Sequence, residues 1–296
     1  MKKVLVIYNP VSGAKKFRAS PHDIQQHLLK KNIDYTWFET IPARHQPFKN
    51  IISEKFDLII AVGGDGTIRE VAHYLIQNKL SIPLAIIAQG SANLLATSLG
   101  IPIFPPMRAL NFALTKSAQP LDVMHVNNKH FALIAAGQGY DALFIKGATR
   151  RLKRQFGFFA YIYSFLRTFF TYRNRKFKIS VDGKHIKTAG KLAIVFNLIS
   201  ISGIPIHDKI SPQDGIVDLA VLSPRSLLDL LKIIILFPFR RHLTPKVQLF
   251  HGKHIVIQKL GATEIQLDGE IYPGKQLEIH VIQKALQIIY EKKFAQ

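Results

Sequence analysis

The sequence predicts an α/β protein, with an N-terminal open parallel α/β domain and a C-terminal β-sandwich-like domain. Three observations carry this. The first hundred residues hold unbroken apolar runs that end in small-residue turns, the pattern of strands buried on both faces. From Asp122 the pattern changes to alternating, β-rich stretches punctuated by Asn-Asn, Asp-Gly and Gly turns. At 296 residues, 48% hydrophobic and 20% charged, the chain is long enough for two domains.

The organising stretch is residues 58–76, LIIAVGGDGTIREVAHYLI. Leu58 to Val62 reads as a buried strand, and Gly63, Gly64 and Gly66 break it. Ile68, Val71, Ala72, Leu75 and Ile76 then recur at helical spacing. Thr67 and Glu70 have the spacing of a capping box, which would start a helix whatever the protein does. A glycine turn between strand and helix bares backbone N–H groups at the positive end of the helix dipole, where phosphate can approach closely. Asp65 puts a carboxylate into that turn. A carboxylate repels a bare anion, so its presence points to a metal-nucleotide.

Taken in order, Val4 to Tyr8 is a first strand, too short for a signal-peptide core, and it ends in Asn9-Pro10-Val11-Ser12-Gly13. Ile24 to Leu29 reads as a helix and Tyr35 to Phe38 as a strand leading to Thr40. Leu84 to Ala88 is a third strand followed by Gly90-Ser91-Ala92-Asn93 and a short helical run that stops at Gly100. Alone, each turn could be a plain β-turn. Three of them at the carboxyl ends of parallel strands would converge on one crevice.

His130 to Ala135, Phe177 to Val181, Leu192 to Phe196, Ile216 to Leu222, His254 to Gln258 and Glu264 to Leu267 read as the strands of the second domain. The histidines, among them His125, His130, His207, His251 and His254, are scattered and offer no ligand spacing. Cysteine is absent, which excludes disulfides and thiolate metal sites and fits a reducing compartment. No Gly-x-Ser-x-Gly elbow appears.

In order along the chain, Asn9 to Gly13, Gly63-Gly64-Asp65-Gly66-Thr67, Gly90-Ser91-Ala92-Asn93, Asp214-Gly215 and Leu267-Asp268-Gly269-Glu270 resemble the diacylglycerol kinase catalytic family, which includes the sphingosine, ceramide and bacterial soluble lipid kinases. The resemblance implies ATP as donor, a lipid hydroxyl as acceptor and Mg²⁺ as cofactor. It implies nucleotide contacts from Asn9, Pro10, Val11, Ser12, Gly13, Thr40, Gly63, Gly64, Asp65, Gly66, Thr67, Ile68, Arg69, Ser91 and Asn93. Asp65 would organise magnesium and phosphates, and Asp268 would be the catalytic base. Ser211, Asp214 and the Ile216 carbonyl would hold a structural Mg²⁺. Two departures stand out. Many relatives carry Gly-Thr-x-Asn-Asp where this chain has Ser91 and, in place of the acid, Leu94; and Gln213 stands where relatives often have a second acid. The resemblance also implies an ATP-binding domain over residues 1–122, rejoined by 284–296 through a strand at Leu286 to Tyr290, and a lipid-substrate domain over 123–283. ATP would lie on one wall of the crevice between them.

The net charge of +21 predicts attraction to polyanions: nucleotides, nucleic acids or an anionic membrane. From Ala142 to Val181 there is no acid, while Lys146, Arg150, Arg151, Lys153, Arg154, Arg167 and Arg173 are interleaved with phenylalanines and tyrosines. A second apolar segment, Leu227 to Phe239, ends in Arg240-Arg241. Charges interrupt both segments short of the ~20 apolar residues a membrane span needs. Aromatics flanked by cations suit an interfacial helix, so the expectation is a cytoplasmic enzyme of lipid metabolism lying peripherally on anionic membrane. No nucleic acid is expected, and a homodimer is compatible with this reading. Two rivals remain open: an NAD kinase-like nucleotide kinase, which shares the Gly-Gly-Asp-Gly turn, and a non-catalytic lipid- or polyanion-binding protein. A binder of polyanions, however, gains nothing from carboxylates in its crevice.

Overall fold

The computed structural model describes residues 3–13, 18–41, 50–52, 55–139, 175–198, 200–201, 204–205, 211–224, 226, 228–229, 246–259, 261 and 264–291. The cationic aromatic segment up to residue 174, the segment Leu227 to Phe239 except Leu228 and Asp229, and His207 lie outside them. The chain divides into two units, one running to Asp122 and rejoined from Gln283, the other running from Val123 to Ile282.

In the first unit β1 (Lys3–Tyr8), α1 (Pro21–Lys30), β2 (Asp34–Glu39), β3 (Leu58–Gly63), α2 (Asp65–Gln77), β4 (Leu84–Ala88), α3 (Leu94–Ser98) and α4 (Pro106–Thr115) follow one another. The strands form a parallel sheet in the order β2-β1-β3-β4. All of β3 and β4 is buried, and β1 is buried from Val4 onward, as continuous apolar runs between two helical layers require. β2, at the edge, is only partly covered. Helix α1 starts at Ser20, whose hydroxyl accepts the Asp23 amide, with Pro21 at the first helical position and Ile24 and Leu28 turned onto the core.

Helix α2 buries Ile68, Val71, Ala72, Leu75 and Ile76, the face its periodicity predicts. Its start differs from expectation. The cap is Gly64, and the helix begins at Asp65, so Thr67 lies in the first turn and forms no capping box. Its hydroxyl instead accepts the Asn9 side-chain amide at 2.8 Å, a contact between the turn after β1 and the first turn of α2 that outcompetes a local cap. Helix α4 carries no cap or glycine signal that marked it in the sequence; it exists because Ala109, Leu110 and Ala113 find the core beside β4.

The chain then enters β5 (Ala118–Val126), β6 (His130–Ala132), β7 (Ala135–Gly139), β8 (Arg175–Val181), β9 (Lys184–Gly190), β10 (Leu192–Phe196), the two-residue β11 (Ser200–Ile201) and β12 (Ile204–Pro205), β13 (Val217–Leu222), β14 (Val247–Gly252), β15 (His254–Lys259), β16 (Glu264–Leu267), β17 (Glu270–Pro273) and β18 (Gln276–Ile289). In the second unit β14-β13-β10-β7-β16-β17 form one antiparallel sheet. The first part of β18 pairs antiparallel with β15, which continues through β8 to β9. Inward residues of both layers share one core: Phe177, Ile179, Ile255, Ile257, Leu277 and Ile279 from one, Val195, Val217, Leu219, Val221, Ile265 and Leu267 from the other. This is the expected sandwich-like arrangement. Asp182-Gly183 and Asp268-Gly269 each have positive φ at both positions, the conformation that two-residue hairpin turns demand, and Asn127-Asn128 shares it within the three-residue loop between Val126 and His130.

The strand read over His130 to Ala135 is two strands, broken at Leu133 and Ile134 because their amides turn onto the Asp268 carboxylate. The late part of β18 returns to the first unit, where Ile288 pairs in parallel with Leu84 of β4. At its entry Lys284 has φ 53°, and its amide donates to the fully buried Asp122 carboxylate at 2.7 Å. Asp122→Ala strands that amide in an apolar setting, so unfolding free energy should drop by about 1–3 kcal/mol. Urea denaturation with an unchanged m-value would report it.

Candidate functional site

Three turns meet at the carboxyl ends of β1, β3 and β4. The first, Asn9 to Gly13, is fixed at both ends. The Asn9 amide donates to the Val62 carbonyl at 2.8 Å, and its side chain accepts the Val11 amide at 3.1 Å. Gln89, at the end of β4, bridges turns: its Nε2 donates to the Asn9 carbonyl and its Oε1 accepts the Ala19 amide, both at 3.1 Å. Arg18 donates to the carbonyls of Pro10, Ser12 and Gly13. The turn's carbonyls are thereby claimed from one side.

The turns touch backbone to backbone. A Cβ on Gly90 would lie 2.7 Å from the Gly64 Cα, and one on Gly64 would lie 3.0 Å from the Ser12 hydroxyl. Gly13 has φ 68°, and a Cβ there would fall 1.8 Å from the Gln89 carbonyl oxygen. Gly66 differs: nothing lies within 4 Å of where its Cβ would be, and it is exposed. Asn93 is buried in the left-handed conformation, with its side chain accepting the Gly90 amide at 2.7 Å. It shapes the third turn. Ser91 and Val11 are exposed, and Thr40 is buried with its amide donating to the Tyr8 carbonyl at 2.8 Å.

Asp65 opens α2 and faces the amides of Leu95, Asn93 and Leu94. Burial pushes its carboxyl above the ordinary carboxylate range, opposed by those amides and by the charge of Arg69 one turn on. Among the described residues its buried Oδ1 has no hydrogen-bond partner. A desolvated carboxylate oxygen without a donor is a hard ligand suited to a divalent cation. The first unit thus brings together Asn9, Pro10, Val11, Ser12, Gly13, Gly63, Gly64, Asp65, Gly66, Thr67 and Asn93, with Thr40 beside Tyr8. Ile68, by contrast, is fully buried and faces the core, so only its backbone can reach a ligand.

In the second unit Asp268 has φ 46°, and its amide donates to the Ala135 carbonyl at 2.9 Å. Its carboxylate accepts three amides, from Leu133 at 2.7 Å, Ile134 at 2.8 Å and Ala135 at 2.9 Å. The same short segment is held from the other side by Asn197, whose Nδ2 donates to the Leu133 carbonyl at 3.0 Å. Ser211, Asp214 and Ile216 share one turn: the exposed Asp214 accepts the Ile216 amide at 3.0 Å, and Gly215 adopts φ 76°. Carboxylate, hydroxyl and carbonyl are hard oxygen donors, so the set fits Mg²⁺ chemically.

Arg18 and Gln89 escaped the sequence reading because neither lies in a small-residue motif. The histidines give the other revision. His254, read as isolated, meets Glu278 and His280 across two strands.

Residues 3–126 match the diacylglycerol kinase catalytic domain, and residues 134–290 match the YegS C-terminal NAD kinase beta sandwich-like domain. The chain belongs to the diacylglycerol kinase catalytic family. It is 27% identical over 291 residues to a diacylglycerol kinase of Bacillus subtilis (strain 168), covering 95% of this chain and 94% of that one. It is likewise 27% identical over 281 residues to a diacylglycerol kinase of Staphylococcus aureus (strain bovine RF122), covering 93% and 87%. In fold it is similar to the crystal structure of a diacylglycerol kinase from Bacillus anthracis str. Sterne, at TM-score 0.73 and 21% identity over 99% and 98% of the two chains. An NAD kinase from Archaeoglobus fulgidus in complex with ATP is a more distant neighbour, at TM-score 0.55, 16% identity and 99% and 95% coverage.

The glycines separate packing from ligand space. Gly90→Ala pushes the second and third turns apart and should destabilise the free protein. Gly66→Ala meets nothing and replaces glycine within a helix, so it should raise stability by about 0.5–1 kcal/mol. Thermal melts of both variants without ligand test the contrast.

Proposed function

We propose that this family member is an ATP-dependent lipid kinase that transfers the γ-phosphate of ATP to a lipid hydroxyl. One observation carries the reading: three glycine-containing turns packed backbone to backbone beside a half-buried carboxylate, one oxygen of which is buried and unpartnered among the described residues. The N-terminus of α2 offers amides and dipole to phosphate oxygens, and Gly66 leaves room for them. Asn9 and Thr67 lock the first turn to the second, so the amides are aimed before the nucleotide arrives. Bound Mg²⁺ would neutralise phosphate charge, with Asp65 as its ligand near the phosphates and the Ser211 to Ile216 turn as a structural site.

Asp268 is the proposed base for the acceptor hydroxyl. Three amides hold its carboxylate in one orientation, so its proton-accepting geometry would depend on the Leu133 to Ala135 segment. The fold does not select the acceptor, because an NAD kinase has a related one. Labelled ATP offered to diacylglycerol, ceramide, sphingosine, monoacylglycerol, phosphatidylglycerol and NAD tests lipid against nucleotide acceptors; phosphorylation of NAD alone would overturn the lipid reading.

Asp65→Asn should abolish turnover while the protein stays folded. Its stability should also change with pH in a defined direction. The folded state keeps the Asp65 proton at higher pH than the unfolded chain does, so this group makes stability fall as pH rises from the ordinary carboxylate pKa through its raised value. The Asn variant lacks that fall, and urea midpoints across the acid range would register the difference. Wild-type turnover in a folded Asn variant would sink the role.

Asp268→Asn should lower kcat by about 10² to 10⁴, with ATP affinity nearly unchanged. Because the amide group also faces three N–H donors, the variant's melting temperature must be measured beside its kinetics. A large loss of ATP affinity with normal kcat would contradict the assignment.

We further infer that the protein works at an anionic membrane surface, on the basis of its +21 charge and its lipid acceptor. Each Lys or Arg near such a surface contributes roughly 1 kcal/mol. Vesicle co-sedimentation should therefore require anionic lipid and weaken with salt.

A further inference from the structure

His254 of β15 lies directly opposite His280 of β18 in the antiparallel ladder, and Glu278, two residues before His280, points to the same face. The three side chains meet. His254 Nε2 is 3.0 Å and His280 Nε2 3.3 Å from the same Glu278 oxygen, and the three ligand atoms lie within 4.8 Å of one another. The imidazoles stack, with centroids 4.1 Å apart and planes 9° from parallel. We propose that His254, Glu278 and His280 form a binding site for a divalent transition-metal ion of the zinc class, separate from the hard-oxygen Mg²⁺ positions discussed above.

The spacing supports this. In a tetrahedral zinc site with bonds of about 2.0–2.2 Å, neighbouring ligand atoms are roughly 3.3–3.5 Å apart. Two of the three separations here already lie close to that range, so a cation could replace the protons now shared between each ring and the carboxylate. Stacked imidazoles repel if both are charged, and a cation held between their nitrogens requires both neutral. The two imidazole nitrogens are borderline donors that favour zinc, nickel or copper over magnesium or calcium, and the carboxylate oxygen, though hard, is a ligand that zinc also accepts.

The side chains are 39%, 31% and 44% exposed for His254, Glu278 and His280, so water can complete the coordination and the ion can enter. The backbone beneath is fixed. The Glu278 amide donates to Asn127 Oδ1 at 2.8 Å, and the Asn127 amide donates to the Glu278 carbonyl at 2.9 Å. The His254 amide donates to the Asp182 carboxylate at 2.8 Å. The ligands therefore stand on two paired strands with a fixed backbone, and rotation of the imidazoles out of their stacked arrangement, about their own side-chain torsions, would bring both ring planes onto one ion.

Calorimetric titration of the untagged full-length protein with Zn²⁺, and separately with Mg²⁺, tests the site. The wild type should take up one equivalent of Zn²⁺ that His254→Ala and His280→Ala each weaken at least about tenfold, the scale of losses seen even for changes behind a metal's direct ligands. Glu278→Gln, which preserves shape and fold, should weaken it too, while His22→Ala, an exposed histidine on α1, should not. Imidazole nitrogen chemical shifts should move at Nε2 of both rings. No Zn²⁺ uptake by the wild type, retention of that equivalent in the His and Glu variants, or equal competition by Mg²⁺ would each overturn the proposal. None of these outcomes bears on whether the protein is a kinase, since kinase activity is measured separately.

Discussion

The close approach of Gly64 and Gly90 governs the first unit. β3 and β4 are hydrogen-bonded neighbours, and strands in register leave their following turns only about 4.8 Å apart. A side chain on either glycine has nowhere to go, since a Cβ on Gly90 would stand 2.7 Å from its neighbour's Cα. The turns must therefore pack main chain on main chain, and their polar groups must be satisfied by long side chains from outside. Gln89 and Arg18 do this, while Asn9, within the first turn, ties it to the Thr67 hydroxyl. Their bonds engage mainly carbonyls, and the amides at the start of α2 are the groups proposed to meet phosphate.

The two carboxylates on which the chemistry is proposed to turn are held in opposite ways. Asp65 is desolvated and keeps one oxygen unpartnered among the described residues, an arrangement that costs stability until a proton or a cation supplies the missing partner. Asp268 is strapped by three amides and sits in a left-handed turn that only a following glycine makes inexpensive. The first is poised for a ligand. The second is rigid, and its rigidity is what breaks β6 from β7.

Much of this was legible in the chain. Buried parallel strands announce themselves as continuous apolar runs, and Asn-Asn or Asp-Gly pairs announce hairpins, because both follow from local sterics and solvent. The C-terminal boundaries of the strands at Tyr8, Val62 and Ala88 came within a residue of the observed ends. The misses share a cause. Thr67 reads as a cap by local spacing, yet its partner Asn9 lies 58 residues away. His254 and Glu278 are 24 residues apart and become neighbours only through strand register. Neither relation leaves a periodic trace, since a side-chain contact across strands depends on pairing rather than on spacing along the chain.

That distinction also explains why membership of a kinase family is easier to read than the acceptor. The three small-residue turns proposed to hold phosphate are compact, built from backbone and glycine, and so leave short ordered motifs. An acceptor pocket is assembled from side chains spread over several strands, and a related sandwich occurs in an enzyme acting on NAD. In the third turn of this chain Leu94 is 47% exposed at the start of α3, next to the amides that face Asp65. An exposed leucine contributes no charge there, so Asp65 is the acid that these amides meet. Under the proposed function, the cation-binding role in this turn would therefore rest on Asp65, whose carboxylate no neighbouring acid of the Leu94 turn could replace.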